Sequence, residues 1–187
     1  MSRTIILFLT AKQDTKILNR IQVNCNAGPS SDKEGFSAWV SELRVAFNPR
    51  GWLLSAAVSP SKTVIDSAYD VPSLSRDLDW IGVMSYDYHG HWDKKTGHVA
   101  PLYHHPKAEN EFFNVNYTLN YWIQMGAEPS KIIMGFPLYG QSFTLTDPIS
   151  NNGLNAPSSG TGLQGPFTRQ SGFLAYYEVC LVVDCSR

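Results

Sequence analysis

The fold of this chain is indicated most clearly by the stretch WIGVMSYDYHGHW, residues 80–92. Its first half is a nearly continuous apolar run, which is typical of a strand buried on both faces of a parallel sheet. The run ends abruptly in Tyr86 and Asp87, and two histidines and Trp92 follow closely. Residues at the carboxyl ends of such strands face the ligand site in α/β proteins, so the stretch predicts a strand that carries a binding site.

The residue types after this strand favour a sugar as the ligand. The aromatic face of Trp92 can cover a sugar ring, while a carboxylate and a phenol hydrogen-bond the polar groups of that ring. Asp87 and Tyr86 supply those two groups. The competing interpretation is an ordinary strand end whose acid caps the next turn, which is the commoner outcome for an isolated Tyr-Asp pair.

Composition excludes several classes of function. The chain has 187 residues, 43% of them apolar, and a net charge of −1 with acids and bases interspersed. This balance favours a globular domain and argues against nucleic acid or an anionic membrane surface as a partner. No apolar run is long enough to span a membrane. The stretch from Arg3 to Leu9 resembles a signal peptide only weakly, because it lacks the small-residue cleavage pattern.

The hydrophobic pattern predicts alternating helices and strands. The predicted elements are a loop at 21–31, a helix from Ser31 or Asp32 to Phe47, a strand at 52–58, a weak helical turn at 72–78, a strand at 80–86, a long connection at 87–113, a helix at 114–125 ended by Gly126, and a strand at 131–136. Helix-sized crossovers between strands indicate a parallel sheet of α/β type. Three parallel strands leave bare edges, so we expect a piece of a larger architecture.

Three of these segments also resemble a known family. Consecutive strands of family 18 glycoside hydrolases are similar, in this order, to Leu53–Val58, Leu78–Asp87 and Lys131–Gly140. The similarity is greatest to the arthropod-type chitinases of that family. Several spaced motifs in the right order are far more specific than one motif. The resemblance implies a partial (β/α)8 TIM barrel of about three parallel strands with helices, followed by the start of an α+β insertion domain.

The extent of the resemblance divides the chain into four parts. We expect a non-matching leader at 1–21, a partial barrel at 22–140, the start of the insertion domain at 141–180 and a non-matching tail at 181–187. Both ends resemble breaks in a longer reading frame, so the sequence predicts a truncated or mis-spliced product.

The resemblance implies substrate-assisted hydrolysis of the β-1,4 links between N-acetylglucosamine units of chitin. The N-acetyl oxygen of the substrate attacks the anomeric carbon, and a protein glutamate protonates the leaving oxygen. Tyr86 would be the catalytic phenol that orients the N-acetyl group. The family needs no cofactor and no metal.

The resemblance also implies a set of substrate-binding residues, namely Ala56, Met84, Asp87, Trp92, Tyr139 and Gln141. Ala56 and Met84 would line the wall around the N-acetyl group, and Asp87 would hydrogen-bond the sugar beyond the scissile bond. Trp92 alone is as often a packing residue as a platform. At Gln141 many relatives carry an arginine, so that charged contact is in doubt.

The general acid of the family is absent from the sequence. It belongs to a D-x-x-D-x-D-x-E strand, and the chain contains no such motif. Residues 77–80 mimic its middle, but Ile81 stands where the glutamate should be. Three hypotheses follow: a chitin hydrolase that is inactive as this chain alone, a non-catalytic chitin-binding lectin, and a non-functional truncated gene product. The family implies a secreted, monomeric protein with chitin or chito-oligosaccharides as partner.

The cysteines and histidines of the sequence do not form a pattern typical of a metal site. The three cysteines, Cys25, Cys180 and Cys185, form no C-x-x-C pair, which argues against structural zinc. The resemblance places the partner of Cys180 outside this chain, so we expect Cys180 and Cys25 to be unpaired. The five histidines lack neighbouring ligands at metal spacing, so solvated or hydrogen-bonding roles are favoured. Asn116 begins a glycosylation pattern, although such matches are often unused.

Overall fold

The structure is a computed structural model that describes residues 6–9, 20–24, 32–149 and 153–182. The chain forms two compact units. The first, here called the sheet unit, comprises Met1–Ser85 and Asn116–Gly135. The second, here called the hairpin unit, comprises Tyr86–Val115 and Phe136–Arg187. The predicted boundaries at 21, 140 and 180 stay a prediction.

The sheet unit is built on one five-stranded sheet. Its strands, in both chain order and sheet order, are β1 (Ile6–Leu9), β2 (Arg20–Asn24), β3 (Leu53–Val58), β4 (Trp80–Val83) and β5 (Ile132–Met134). β1 pairs with β2 in the antiparallel sense, and every later pair is parallel. Ile81 of β4 lies opposite Ala56 on one side and Ile132 on the other. The predicted parallel α/β sheet is therefore confirmed.

The loop prediction for residues 21–31 is wrong at its beginning, because β2 occupies Arg20–Asn24. This strand adds a fourth parallel strand to the three that the pattern predicts. Five residues with little apolar content carry a weak local signal. The pairing with β3, which no local pattern encodes, makes this segment a strand.

Four helices accompany the sheet: α1 (Asp32–Phe47), α2 (Lys62–Ala68), α3 (Val71–Asp77) and α4 (Val115–Gln124). α1 and α4 match the predicted helices closely, and the weak turn at 72–78 is α3. α2 was missed because seven residues with few apolar positions give little helical periodicity. Gly126 ends α4 with a backbone φ of +110°, a conformation that glycine adopts without strain.

The core of the sheet unit lies between these helices and the sheet. Val40 of α1, Leu54 of β3, Ile65 of α2 and Trp122 of α4 are fully buried. The indole N–H of Trp122 donates to the carbonyl of Ser59 at 3.2 Å, so the buried polar atom has its partner. Ile133 and Met134 of the edge strand β5 are about half exposed, which agrees with the expected exposed apolar edge.

The hairpin unit consists of short strands, a helix and long connections. β6 (Tyr139–Gln141) pairs with β9 (Phe173–Ala175), and β7 (Phe143–Leu145) pairs with β8 (Ser158–Thr161), both in the antiparallel sense. α5 (Tyr176–Val182) follows β9 directly. A single 3-10 turn at His91–Asp93 interrupts the long connection after Asp87.

The prediction that Cys180 is unpaired is wrong. Cys180, in α5, is disulfide-bonded. The two other cysteines of the chain, Cys25 and Cys185, both lie outside the described residues. The prediction assumed that the partner would lie beyond Arg187. Chain folding can, however, bring any two cysteines within the Cα range of about 7 Å that a disulfide needs.

Candidate carbohydrate-binding site

Four of the predicted site residues lie around one cavity in the hairpin unit. Asp87, Trp92, Tyr139 and Gln141 line this cavity, which has a volume of about 300 Å³. The remaining lining residues are His91, Gln170, Ser171, Gly172 and Phe173. We call this the aromatic cavity. Its volume lies at the lower end of the range for small-molecule sites.

The antiparallel pair of β6 and β9 positions the aromatic rings that line the cavity. Tyr139 and Gln141 are two residues apart on β6, so their side chains lie on the same face. Phe173 is opposite Gln141 in the register and diagonal to Tyr139. The rings of Tyr139 and Phe173 are stacked at 4.6 Å between centroids. Each ring therefore covers one face of the other, and both residues line the cavity beside the amide of Gln141.

Asp87 supplies the charged group of the cavity. Its backbone φ of +58° is left-handed, a region that aspartate enters more readily than most residues, and the sharp turn redirects the chain after the strand end. Gln141 Nε2 donates to Asp87 Oδ1 at 3.3 Å, and the hydroxyl of Tyr139 is hydrogen-bonded to the same carboxylate. Two donors from β6 thus hold one carboxylate.

The two tyrosines of the site are neighbours. Tyr86 and Tyr139 pack edge to face, with centroids 6.2 Å apart and an interplanar angle of 76°. Burial, and then the negative charge of Asp87, raises the pKa of Tyr86. Burial, and then the hydrogen bond to Asp87, raises the pKa of Tyr139 well above its usual range. Both phenols are therefore neutral hydrogen-bond donors at physiological pH.

Ala56 and Met84 are placed in the sheet unit and are not among the residues that line the aromatic cavity. Ala56 is buried in the middle of β3. Met84 directly follows β4, and its N–H donates to the carbonyl of Val58 at 2.9 Å. Their role in a wall around the N-acetyl group stays a prediction.

The segment Gln170–Phe173 was missed as part of the site. Gly172 has a φ of +79°, which turns the chain into β9 and brings Phe173 opposite Gln141. The sequence showed only a last apolar run beginning at Phe173. The glycine before it was the available signal, because a glycine next to a strand often marks a tight turn.

Asp77 and Asp79, the acids of the motif-like segment, serve the fold of the sheet unit. Asp77 is nearly buried and is paired with Arg76, whose hydrogen bonds and charge lower the pKa of this carboxyl. Asp79 Oδ2 accepts from Arg44 and from the backbone N–H of Leu54, both at 2.6 Å. These acids clamp α1 and β3, so neither is a free catalytic carboxylate.

Glu178 is a second structural carboxylate. It is 1% exposed, and it accepts the N–H groups of Phe167, Thr168 and Ala175 and the hydroxyl of Thr168 at 2.7–2.9 Å. Burial alone would raise the pKa of this carboxyl, but the hydrogen bonds led by Thr168 outweigh it and lower the pKa to about 2. Glu178 is therefore an ionised anchor between α5 and the preceding loop.

The histidines have hydrogen-bonding and packing contacts. His89 Nδ1 lies 2.9 Å from Asp93 Oδ2, and the His91 ring meets Trp92 edge to face at 5.3 Å. Among the described residues, no group of three or more His, Cys, Asp or Glu side chains is arranged to hold a metal ion.

Comparison with known proteins assigns the family. The model of glycosyl hydrolases family 18 matches residues 10–184, further at both ends than the resemblance read from the motifs. The chain belongs to glycosyl hydrolase family 18. Probable chitinase 10 of Drosophila melanogaster is 61% identical to this family 18 chain over 159 residues, which are 85% of the chain and 7% of that protein.

Solved structures agree with the assigned fold. A mutant of catalytic domain 2 of the Ostrinia furnacalis Group II chitinase, crystallised with penta-N-acetylchitooctaose, has a TM-score of 0.80 at 59% identity over 82% of this chain and 40% of that one. Human YKL-39, described as a pseudo-chitinase with retained chitooligosaccharide-binding properties, has a TM-score of 0.84 at 37% identity over 89% and 48%. The partial TIM-barrel prediction is confirmed.

The family 18 chain spans less than half the length of each of these three relatives. None of its described helices is both long enough and apolar enough to cross a membrane.

Proposed function

We propose that this chain binds chito-oligosaccharides in the aromatic cavity and contributes to chitin breakdown by a family 18 glycoside hydrolase. The observation that carries the proposal is the composition of the cavity wall. Trp92, Tyr139 and Phe173 offer aromatic faces, while Asp87 and Gln141 offer an acceptor and an amide beside them. Apolar ring faces with a few fixed polar groups match the two kinds of surface on a pyranose ring.

The polar groups favour a neutral ligand. Asp87 accepts from Tyr139 and Gln141, so two neutral donors share its charge, and no ion pair with it is found among the described residues. An N-acetylglucosamine unit carries hydroxyl donors that suit the remaining lone pairs of Asp87. An anionic sugar would meet like charge at this position, which disfavours it.

The proposed reaction is substrate-assisted hydrolysis of a β-1,4 bond between N-acetylglucosamine units. Tyr86, as a neutral phenol, donates a hydrogen bond to the N-acetyl group and holds it for attack on the anomeric carbon. The C–O bond to the leaving sugar breaks as the new C–O bond forms, and water later opens the cyclic intermediate. Ala56 and Met84 are proposed to line the wall around the N-acetyl group.

The proton for the leaving oxygen requires an acid that the described residues do not supply in this cavity. Its only lining carboxylate is that of Asp87, and Glu178 is fixed by four hydrogen bonds. We therefore propose that hydrolysis needs a family D-x-x-D-x-D-x-E segment, which the printed sequence lacks. Loss of a general acid costs on the order of 10²–10⁴-fold in rate.

The second candidate function is binding without hydrolysis, as in a lectin. It is favoured by the same missing motif, together with a cavity that four of the six predicted substrate-binding residues line. A truncated, non-functional product is the third alternative, and failure of the purified chain to fold would favour it.

We further propose that the protein acts outside the cell. The disulfide at Cys180 supports this location, because structural disulfides persist in oxidising compartments and are rare in the cytosol. A monomer is proposed from the resemblance alone.

The test is calorimetric titration of the 187-residue chain with an N-acetylglucosamine pentamer. The matched control ligand is the glucose pentamer with the same β-1,4 links, which lacks the N-acetyl groups. We expect binding of the first ligand and markedly weaker binding of the second. Equal affinity for both, or binding unaffected by Asp87→Ala, would contradict the proposal.

A further inference from the structure

The ring of Trp92 is held by the loop that carries it. We propose that Gly90 and the pair of His89 and Asp93 are positioning residues, which fix the Trp92 indole against the aromatic cavity before any sugar arrives. The benefit of this positioning for sugar binding rests on the proposed function. The contacts that hold the indole do not depend on it.

Residue 90 must be glycine because a larger side chain would collide with the Trp92 ring. A Cβ atom built at this position would lie 2.3 Å from Trp92 Cη2 and 2.4 Å from Cζ3. Carbon atoms in contact are separated by about 3.5–4.0 Å, so the six-membered ring of the indole rests directly on the backbone of Gly90. The φ of Gly90 is −164°, which any residue can adopt. The ring of Trp92 is therefore sufficient to require glycine at this position.

Asp93 closes the loop behind the tryptophan. Its Oδ2 atom lies 2.9 Å from His89 Nδ1 and accepts the N–H of Gly90 at 3.3 Å. A carboxylate is an acceptor, so the shared proton lies on His89 Nδ1. One oxygen thus ties together the two residues that precede the 3-10 turn at His91–Asp93.

The His89 side chain is itself held by neighbouring residues, which restrains its hydrogen bond to Asp93. A Cβ atom at Gly97 would lie 2.5 Å from both Cβ and Cγ of His89, which places this side chain flat against the Gly97 backbone. On another side the His89 ring meets Phe113 edge to face at 5.6 Å. The His89 ring therefore has little freedom to turn away from Asp93.

One face of Trp92 stays available. Gly90 supports the ring from behind and His91 meets it at an angle of 70°, yet the residue is 51% exposed. A ring already held in the binding orientation avoids the entropy cost of fixing it when the ligand arrives. The loop thus presets an aromatic platform for a sugar ring.

The test is ¹⁹F NMR of the whole chain labelled with 5-fluorotryptophan. The chain has five tryptophans, and Trp92→Phe assigns the resonance of interest. We expect Gly90→Ala to shift the Trp92 resonance and Asp93→Ala to broaden it, while the four other tryptophan resonances stay in place. Asp93→Asn keeps one acceptor oxygen, so it should have a smaller effect than Asp93→Ala.

Two matched controls separate this effect from general disturbance. Gly153→Ala adds a methyl group where no atom lies within 4 Å, and His104→Ala removes an exposed histidine outside the aromatic cavity. Both should leave the Trp92 resonance unchanged. An unmoved Trp92 resonance in folded Gly90→Ala and Asp93→Ala chains would overturn the proposal. If Gly90→Ala unfolds, the two Asp93 variants carry the test alone by the same criterion.

Addition of the N-acetylglucosamine pentamer then tests the two proposals separately. In the unaltered chain the Trp92 resonance should shift with the sugar, and Asp93→Ala should weaken binding by about tenfold. No response to the sugar contradicts the proposed function, while a Trp92 resonance displaced in the variants would still support the positioning role. Unchanged affinity of the Asp93→Ala variant for the pentamer would contradict the proposal that positioning of the Trp92 ring strengthens sugar binding.

Discussion

At the scale of single residues, the site depends on Asp87 and on what surrounds its carboxylate. The left-handed backbone at Asp87 turns the chain out of the strand end, and β6 returns to meet it with Tyr139 and Gln141. An arginine at the position of Gln141 would place a cation there instead. A neutral amide leaves the carboxylate free to accept from a sugar hydroxyl without breaking an ion pair.

Trp92→Ala should weaken the binding of the N-acetylglucosamine pentamer by about tenfold, because the sugar loses a ring face to stack on. Calorimetric titration measures this change. The matched control is Tyr103→Ala, which removes an aromatic residue that is 64% exposed in the same unit and lies outside the aromatic cavity. Equal loss in both variants would mean that Trp92 has no special part in binding.

Glu178 should make the stability of the hairpin unit depend on pH in the acid range. The folded state lowers the pKa of Glu178 from 4.5 to about 2, so the folded state favours the ionised form. Its contribution is complete above about pH 4.5 and is lost as the pH falls from there toward about 2. Thermal melts between pH 7 and pH 2.5 should show a smaller acid-induced loss in Glu178→Gln than in the unaltered chain.

The control for this measurement is Glu128→Gln, which changes an exposed glutamate. It should keep the pH dependence of the unaltered chain. An identical loss of melting temperature at low pH in Glu178→Gln and in the unaltered chain would contradict this prediction. It would mean that the four hydrogen bonds to Glu178 do not couple its ionisation to folding.

At the scale of elements, the two neighbouring strands β4 and β5 differ in how they are covered. Ile81 of β4 is 0% exposed, and Ile133 of β5 is 51% exposed. β4 has a strand on both sides, whereas β5 is at the end of the sheet. An apolar edge strand is a site where another strand or chain can add.

Ile81→Ala should lower the free energy of unfolding by about 2–5 kcal/mol, because the substitution leaves a cavity in the core. Ile133→Ala is the matched control in the same sheet and should cost less than about 1 kcal/mol, since the side chain stays half in water. Urea unfolding of the two variants measures both values. Equal costs would contradict the difference in burial between the strands.

At the scale of the whole molecule, the state of the thiols follows from the disulfide at Cys180. Three cysteines with one disulfide leave a single thiol. Thiol titration of the denatured, unreduced chain should therefore detect one thiol, and three after reduction. Detection of three thiols in a chain purified without reductant would contradict the disulfide.

The chain alone should not hydrolyse an N-acetylglucosamine oligomer above background, because no glutamate is among the described residues that line the aromatic cavity. A fusion that adds further family 18 barrel strands, among them the D-x-x-D-x-D-x-E segment, should be active. In that fusion, Tyr86→Phe should lower kcat more than it raises KM, since the phenol acts mainly when the N-acetyl oxygen attacks. Product analysis by mass spectrometry measures turnover, and cleavage by the unfused chain would contradict these roles.

The sequence by itself determined the parallel sheet, the family and four of the nine residues that line the aromatic cavity. β3, β4 and β5 are short apolar runs between helix-sized crossovers, and that pattern is local. Asp87 and Trp92 were found because they follow a buried strand within ten residues, and Tyr139 because its segment resembles a family 18 strand. In each case the information lies within about ten residues of the chain.

Tertiary structure alone decided what depends on distant pairing. β2 is a strand because β3 pairs with it. Phe173 lies beside Tyr139 because β6 and β9 form an antiparallel pair, although more than thirty residues separate the two strands. Glu178 is an anchor rather than a spare acid because four donors converge on it from three separate residues. Such contacts carry no local periodicity, since the chain separation between the partners is set by the fold and not by the helix or strand repeat.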